Sequence, residues 1–240
     1  MLELFDRQRL RMLRPYLRPG ARLLDVGAGR GRFVASARGA GYCARGIEPS
    51  PRGVEAALRD GVGLHRAGWE DAEVEPESLD AVIFWHVLEH LDDPAAAAAR
   101  AATWLRPGGV LLAGVPNLDS WQARIGGDRW YHLDVPRHRM HFTPRGLDAL
   151  LRRAGLQPQR THHLLAEHNP FGMWQSAVSR LTETPSWLYH ALKRNAPVWS
   201  RDAAITAAAV PLAPVAIVAE LAAGVLRRGG TIAVVARRAA

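Results

Sequence analysis

The sequence predicts an α/β protein with a parallel, doubly wound sheet. Two observations predict this class: short apolar runs alternate with helical segments along most of the chain, and the first run leads directly into a glycine-rich turn. That run is residues 22–26, and the turn after it carries Gly27, Gly29 and Gly31. Ligands of such sheets bind beyond the carboxyl ends of the strands. The turn is therefore the first candidate binding site.

The spacing of the glycines limits which cofactors the turn can bind. Three glycines at alternate positions let the backbone turn sharply and approach a bound molecule closely. A dinucleotide-binding fingerprint would place its third glycine at position 32, which is Arg32 here. The spacing disfavours NAD and FAD, and a tight turn without a ligand is the alternative.

The remaining elements follow in regular order. Residues 2–17 form a leading helix that we expect to cover a ligand site. Residues 79–85 are the most continuous apolar run and predict a central strand. The other predicted strands are 43–47, 63–66, 110–115, 156–165 and 231–236. The other predicted helices are 34–38, a short one ending at 60–61, 94–105 and 144–154.

Several polar and aromatic side chains fall at the predicted strand ends. Glu48 closes the second strand, 21 residues after Gly27, where a carboxylate can accept both hydroxyls of an adenosine ribose. A surface carboxylate at the start of a turn is the alternative. Trp69 and Glu70 follow the third predicted strand, where an adenine ring could be held, and His86 follows the strand 79–85.

With these elements in place, the chain resembles the class I S-adenosylmethionine-dependent methyltransferases, in particular the small-molecule branch that includes methyltransferases of quinone biosynthesis. The resemblance covers about residues 20–165 and the last strand. It rests on five segments in this order: Leu24-Asp25-Val26-Gly27-Ala28-Gly29-Arg30-Gly31; Glu48; Trp85-His86-Val87-Leu88-Glu89-His90-Leu91; Leu105-Arg106-Pro107-Gly108-Gly109; and Pro136-Arg137-His138-Arg139-Met140-His141-Phe142-Thr143-Pro144.

The resemblance implies a Rossmann-like sheet of seven strands, mostly parallel with an antiparallel last strand. It implies S-adenosylmethionine as cofactor and S-adenosylhomocysteine as product. The implied cofactor residues are Asp25, Gly27, Ala28 and Gly29 for the methionine end, Glu48 with Pro49 for the ribose, Trp69 and Glu70 for the adenine, and His86 and Val87 on the side facing the acceptor. Many relatives have an aspartate where this chain has Trp69-Glu70.

Two histidine patterns compete for a role in catalysis. Residues 86–90 spell the H-x-x-E-H zinc motif, which needs a long helix, whereas a strand ends at Trp85 and a new helix begins at Pro94. We therefore expect no metal. A second cluster holds His132, Asp134, His138 and His141. It can supply a general base for a hydroxyl acceptor, a metal site, or a hydrogen-bonded loop without a function. His138 or His141 is the first candidate base, and His86 is the next.

Composition limits the partners and the compartment. The formal net charge of +8 comes from arginines scattered along the chain, which favours a solvated basic surface over a nucleic-acid site. Nucleic-acid methylation is further disfavoured because no Asn/Asp-Pro-Pro-aromatic motif follows the strand 79–85, and Cys43 lies within a strand. A single cysteine and an N-terminus without a signal-peptide pattern predict a cytoplasmic protein.

A long apolar insertion precedes the last strand. We expect residues 1–166 and 227–240 to form the methyltransferase core and residues 167–226 a helical hydrophobic insertion. Residues 203–226 are apolar except for Glu220, and Pro211 and Pro214 interrupt them. Three interpretations stay open: a membrane span, a membrane-surface or lipid-gripping lid, and a buried lid or homodimer face.

The sequence as a whole predicts an S-adenosylmethionine-dependent methyltransferase. Aromatic residues beside cations in the insertion favour a small, partly hydrophobic acceptor, with O-methylation preferred. The alternative is a non-catalytic partner of the same fold that serves a membrane or a biosynthetic complex as a scaffold.

Overall fold

A computed structural model describes residues 2–167, 169–193 and 200–239 of the chain. Within these residues six strands form one sheet in the order β2-β1-β3-β4-β6-β5. The sheet is mostly parallel, with one antiparallel region. The strands are β1 (Arg22–Val26), β2 (Cys43–Ile47), β3 (Leu79–Trp85), β4 (Leu105–Pro116), β5 (Leu156–His162) and β6 (Thr231–Arg238).

Ten α-helices are described, joined in places by short 3-10 turns. They are α1 (Leu2–Leu13), α2 (Arg32–Gly39), α3 (Pro51–Arg59), α4 (Pro94–Trp104), α5 (Trp121–Gly126), α6 (Pro144–Arg153), α7 (Asn169–Val178), α8 (Trp187–Leu192), α9 (Arg201–Ala209) and α10 (Ala213–Val225). Side chains cap several of them: Asp93 accepts a hydrogen bond from Ala96 N at the start of α4, and Ser50 accepts one from Gly53 N at the start of α3.

Parallel pairing brings three strand ends to one edge of the sheet. β1 pairs with β2 on one side and with β3 on the other, with Val26 opposite both Ile47 and Phe84. β3 is central and buried, and Ala81 through Phe84 have no exposed surface. The residues that follow these strands therefore share one edge of the sheet.

The described residues form six strands, whereas seven were predicted. Residues 63–66, predicted as the third strand, do not form a strand. His65 alone makes an isolated parallel bridge to Ile47, through hydrogen bonds from His65 N to Gly46 O and from Glu48 N to His65 O. The segment lies beside β2 at the sheet edge, and Gly61 and Gly63 precede His65. Glycine gains little from extended pairing, so the ladder stops after one residue.

The chain divides into two compact units. The first contains Met1–Val115, Arg145–Thr161 and Ala233–Ala240, and the second contains Pro116–Pro144 and His162–Ile232. This division differs from the expected one, which assigned residues 116–144 to the methyltransferase core and only residues 167–226 to an insertion.

Hydrogen bonds explain why residues 116–144 belong to the second unit. The buried Asn117 donates from its backbone nitrogen to Gly230 O at 2.8 Å and from Nδ2 to Gly229 O at 3.0 Å. Gln122 Nε2 donates to Asn169 O and to the Glu220 carboxylate. The side-chain bonds join residues 47 to 112 positions apart in sequence.

One helical stretch, Arg201–Val225, is long and apolar enough to cross a membrane, judged by length and composition only. It consists of α9, a 3-10 turn (Val210–Leu212) and α10.

Candidate active site

The glycine turn follows β1 in the first unit. Gly27, Gly29 and Gly31 all have positive φ angles, of 71°, 55° and 71°. Residues other than glycine rarely adopt such angles. Gly27 N and Ala28 N both donate to Ile47 O at 2.9 Å, which fixes the turn to the end of β2. A Cβ atom on Gly27 would lie 2.6 Å from a methyl carbon of Val87. The turn therefore touches the segment that follows β3.

Glu48 is fixed at the end of β2 by two backbone donors. The nitrogen of Gly29 donates to Oε2 and that of Ser50 to Oε1, both at 2.8 Å, and the residue is buried. A carboxylate oxygen has more than one lone pair, so each oxygen can accept a further hydrogen bond. The geometry presents a preoriented pair of acceptors beside the glycine turn.

Asp25 lies at the base of the turn and is 5% exposed. Burial raises the pKa of Asp25 to about 7, the Arg9 guanidinium lowers it, and the carboxylates of Asp6 and Glu48 raise it further. Asp25 is thus poised to ionise when a cation is placed beside it.

A cavity of about 180 Å³ opens at this position. Arg9 of α1 was not among the predicted site residues; its guanidinium carbon lies 4.8 Å from the ring centre of Trp85 and 5.3 Å from that of Phe33. Arg9 also pairs with Asp6 at 3.1 Å. The sequence did contain a signal for Arg9, because an arginine in a helix that is expected to cover a ligand site is a candidate ligand contact. The cavity is lined by Arg9, Asp25, Gly27, Ala28, Arg30, Arg32, Phe33 and Trp85.

The predicted adenine residues lie after the bridge that His65 makes with β2. Trp69 is half-buried, and its Nε1 is buried without a hydrogen-bond partner among the described residues. Glu70 and Pro49 are exposed. An unsatisfied buried donor is costly unless a ligand or water accepts from it, so Trp69 is the stronger of the two predicted adenine contacts.

His86 and Val87 follow β3. His86 Nδ1 lies 2.9 Å from Oε1 of Glu89, which is 1% exposed. His86 has a φ of 55°, a rare angle outside glycine, and its nitrogen donates to Gly114 O. Residues Leu88–His90 form a single 3-10 turn. The two histidines of H-x-x-E-H therefore do not share one long helix, as the zinc motif requires.

The second histidine cluster lies in the second unit. His138 Nδ1 is 2.7 Å from His132 O, and His141 Nε2 is 2.9 Å from Leu133 O. Asp134 Oδ2 lies 3.9 Å from His138 Nε2 and also pairs with Arg137. The structure thus brings together the predicted cluster, and each candidate base has one ring nitrogen on a backbone carbonyl. These bonds engage one ring nitrogen of each histidine, so all three alternatives stay open.

The first unit's site fits S-adenosylmethionine. A carboxylate at Asp25 and a guanidinium at Arg9 match the ammonium and carboxylate of an amino-acid end. The buried, doubly bonded Glu48 suits a ribose diol, and the unpartnered Trp69 Nε1 suits an adenine contact.

Comparison with known proteins identifies the family of the chain. Residues 2–161 match the methyltransferase domain family. The chain is 33% identical over 161 residues to the ubiquinone biosynthesis O-methyltransferase of Xanthomonas euvesicatoria, covering 62% of this chain and 67% of that protein. The counterpart in Ralstonia nicotianae is 30% identical, with 63% and 68% covered.

Solved structures share the fold. A possible histamine N-methyltransferase from Thermotoga maritima has a TM-score of 0.59 at 19% identity, covering 99% of this chain and 89% of that one. A 1,6-didemethyltoxoflavin-N1-methyltransferase from Burkholderia thailandensis, solved with S-adenosylhomocysteine, has a TM-score of 0.55 at 18% identity, covering 99% and 80%.

The fold and the site define a class I S-adenosylmethionine-dependent methyltransferase. The chain belongs to the methyltransferase domain family, and it is similar to the methyltransferases of quinone biosynthesis.

Proposed function

We propose that this methyltransferase acts on a hydroxyl oxygen of a small acceptor that has an apolar part, and that the predicted cofactor residues hold S-adenosylmethionine. Two relatives that are 30% and 33% identical carry the name ubiquinone biosynthesis O-methyltransferase, which supports an oxygen acceptor. The cofactor, when bound, would supply a methyl group attached to a positively charged sulfur. The acceptor oxygen bonds to the methyl carbon as the carbon–sulfur bond breaks, and the sulfur leaves as a neutral thioether.

The observation that carries the proposal is the pair His86 and Glu89. A hydroxyl must lose its proton as its oxygen is methylated, and an imidazole suits this role at neutral pH. The buried Glu89 carboxylate, 2.9 Å from Nδ1, favours the tautomer in which Nδ1 carries the hydrogen. The lone pair then lies on Nε2, which takes the hydroxyl proton. The pair stands at the end of β3, next to Val87, which touches the glycine turn.

Each remaining group of the first unit has a binding role in this proposal. Asp25 in its ionised form accepts from the ammonium of the methionine end, and Arg9 donates to the carboxylate at the same end. Glu48 accepts from the ribose hydroxyls. Fixing both ends of the cofactor limits the positions of its methyl group, which is the main contribution that positioning makes to a displacement reaction.

His138 and His141 are the second candidates for the base. In each, the ring nitrogen that faces a backbone carbonyl carries the hydrogen, so the other ring nitrogen has the lone pair. We place His86 first because its Nδ1 lies 2.9 Å from the buried Glu89 carboxylate at the end of β3, beside the glycine turn.

The acceptor is tested with three matched compounds: a phenol with an isoprenoid tail, the aniline with the same tail, and the phenol without it. Product mass and S-adenosylhomocysteine release are measured together. We expect the tailed phenol to have the highest kcat/KM, by about tenfold or more over the tail-less one. Preference for the aniline would contradict O-methylation, and equal rates without the tail would contradict the apolar acceptor.

The base is tested with the variant His86→Asn, whose amide still reaches Glu89 but cannot take a proton. We expect kcat to fall about 100-fold or more, with a much smaller loss of S-adenosylhomocysteine affinity, because the proton transfer occurs only in the reaction. His138→Asn and His141→Asn are the matched comparisons. A larger loss of kcat in either, together with a normal rate in His86→Asn, would move the base to the second unit.

Glu89→Gln separates positioning from proton transfer. The glutamine can still accept from Nδ1 but has no charge, so we expect a smaller loss of kcat, about tenfold, and a shifted pH profile. An unshifted profile would show that Glu89 does not act through His86.

A further inference from the structure

The stretch of α9, the 3-10 turn and α10, which we call the apolar helix pair, has an unusual surface. Its most apolar 18-residue window has a mean hydropathy of 1.9, yet only 17% of that window is buried. The structure describes all of residues 200–239, and every exposed residue from 204 to 226 is apolar. Contiguous apolar surface of this extent marks an interaction site.

The inward face of the helix pair is already satisfied. Ile205, Ala209, Ala213 and Ala216 pack around Trp174 and Val178 of α7. Trp174 Nε1 donates to Ala209 O at 2.9 Å. The outward residues are therefore not needed for the core of the second unit.

The only charge between residues 203 and 226 also points inward. Glu220 is 3% exposed and accepts from Gly230 N at 2.8 Å and from Gln122 Nε2 at 2.7 Å. The outward face, by contrast, carries Val215, Val218 and Val225, which are 65%, 67% and 73% exposed. It is a purely apolar strip.

Arginines stand at both ends of this strip. Arg201 begins α9, and Arg227 and Arg228 follow α10. Arg201 and Arg228 pair with the exposed carboxylates Glu183 and Asp119. Exposed pairs of this kind are weak, so anionic headgroups can compete for the guanidinium groups. Long cationic side chains beside an apolar face suit the boundary between headgroups and acyl chains.

We propose that the outward face of the apolar helix pair docks on an anionic lipid bilayer and lies in the membrane plane. Charge favours a bilayer over a second copy of the chain, because a symmetric antiparallel contact would bring the arginines at one end close to those at the other, in a protein with a net charge of +8. Anionic headgroups offer the opposite charge.

The packing also decides between lying on the bilayer and spanning it. The inward face is held to α7, and Glu220 is hydrogen-bonded to Gln122 of α5 and to Gly230. Crossing the bilayer would break these bonds or carry their partners into the acyl chains, at high cost. The proposal does not depend on which atom receives the methyl group.

The test is co-sedimentation of the full chain with vesicles, either phosphatidylcholine alone or an equal mixture with phosphatidylglycerol. We compare the wild type with the double variant Val215→Glu/Val218→Glu. The matched control is Leu58→Glu/Leu181→Glu, which adds the same charge at leucines that are 69% and 66% exposed outside the helix pair. We expect the first variant to lose at least about tenfold in partitioning to mixed vesicles and the control to keep it within about twofold.

Salt and self-association complete the test. Binding should weaken but persist at about 0.5 M salt, because salt screens the charged contribution and not the apolar one. No binding of the wild type, or equal binding of both double variants, overturns the proposal. So does a dimer in sedimentation velocity that becomes a monomer in Val215→Glu/Val218→Glu, because the strip would then be a subunit interface.

A second measurement avoids the charged substitutions. In a Cys43→Ser background, Val218→Cys or Leu58→Cys carries an environment-sensitive fluorophore. Mixed vesicles should shift the emission of the first to shorter wavelength and leave the second unchanged. A shift at neither position, or the same shift at both, counts against docking through this face.

Discussion

Replacing the buried carboxyl group of Asp25 by an amide should stabilise the cofactor-free protein as the pH rises, while weakening its cofactor site. Asp25 has almost no contact with water and shares its surroundings with the carboxylates of Asp6 and Glu48. The variant Asp25→Asn keeps the shape of the side chain and removes its ability to ionise. The two effects are expected to have opposite signs, so they can be measured separately.

The magnitude follows from the pKa. Folding raises the pKa of Asp25 from 3.8 to about 7, so the folded protein holds a proton that the unfolded chain releases. This contribution to stability is complete below about pH 4 and is lost as the pH rises through about 7. A displacement of about three pKa units corresponds to about 4 kcal/mol. Asp25→Asn should therefore gain stability over the wild type as the pH rises, by up to about 4 kcal/mol near pH 8.

Two assays measure the two effects. Urea unfolding of both proteins across this pH range gives the difference in free energy of unfolding, in which groups common to both proteins cancel. Calorimetry with S-adenosylhomocysteine gives the second effect: affinity should fall about tenfold or more in Asp25→Asn, because a charge-assisted hydrogen bond is lost. The wild type should also release a proton on binding near pH 7, seen as a dependence of the heat on the buffer.

The refuting result is a difference in unfolding free energy that does not change with pH. It would mean that Asp25 ionises in the folded protein as it does in the unfolded chain. Loss of affinity without proton release would leave Asp25 a cofactor ligand but refute its neutral state in the cofactor-free protein.

Three further predictions concern the same site. Gly27→Ala should destabilise the protein about 1–3 kcal/mol more than Gly29→Ala in urea unfolding. Both glycines have a positive φ, but only the new methyl group at position 27 would meet a neighbour, a methyl carbon of Val87 at 2.6 Å. Equal losses of stability would contradict this close contact. Glu48→Gln should weaken S-adenosylhomocysteine binding about tenfold or more in calorimetry, because its amide must turn a donor toward a backbone N–H, whereas the exposed Glu55→Gln should bind as the wild type does. Arg9→Met should weaken S-adenosylhomocysteine binding by a similar factor but leave 5′-methylthioadenosine binding unchanged, because that molecule lacks the amino-acid end. Equal losses of affinity for both ligands would show that Arg9 does not contact the carboxylate.

The parts of the fold that the sequence predicts well are those decided by local pattern. The predicted strands 22–26, 43–47 and 79–85 have the same bounds in the structure. Each is a short run rich in apolar residues, and a glycine or a charged residue directly follows the first two: Gly27 follows 22–26 and Glu48 follows 43–47. Residues 63–66 contain a single apolar side chain, that of Leu64, and their extension depends on a partner strand at the sheet edge, which no local pattern specifies.

The division into units and the cavity could not be predicted for a different reason. The side-chain bond from Asn117 to Gly229 joins residues 112 positions apart, and neither belongs to a recognisable motif. Arg9 reaches the cavity because α1 packs against α2, where its guanidinium lies beside Phe33 and Trp85. Asp25, Glu48 and His86, by contrast, stand at strand ends, and a position at a strand end can be read from the sequence.

The two-part second unit has a consequence for anyone who wishes to exchange it. Its segments, 116–144 and 162–232, are joined by the bonds of Asn117 and Gln122. Replacing either segment alone would leave buried polar groups of the other without the partners they have here. A chimera between family members therefore has to exchange both segments together, although they are separate in the sequence.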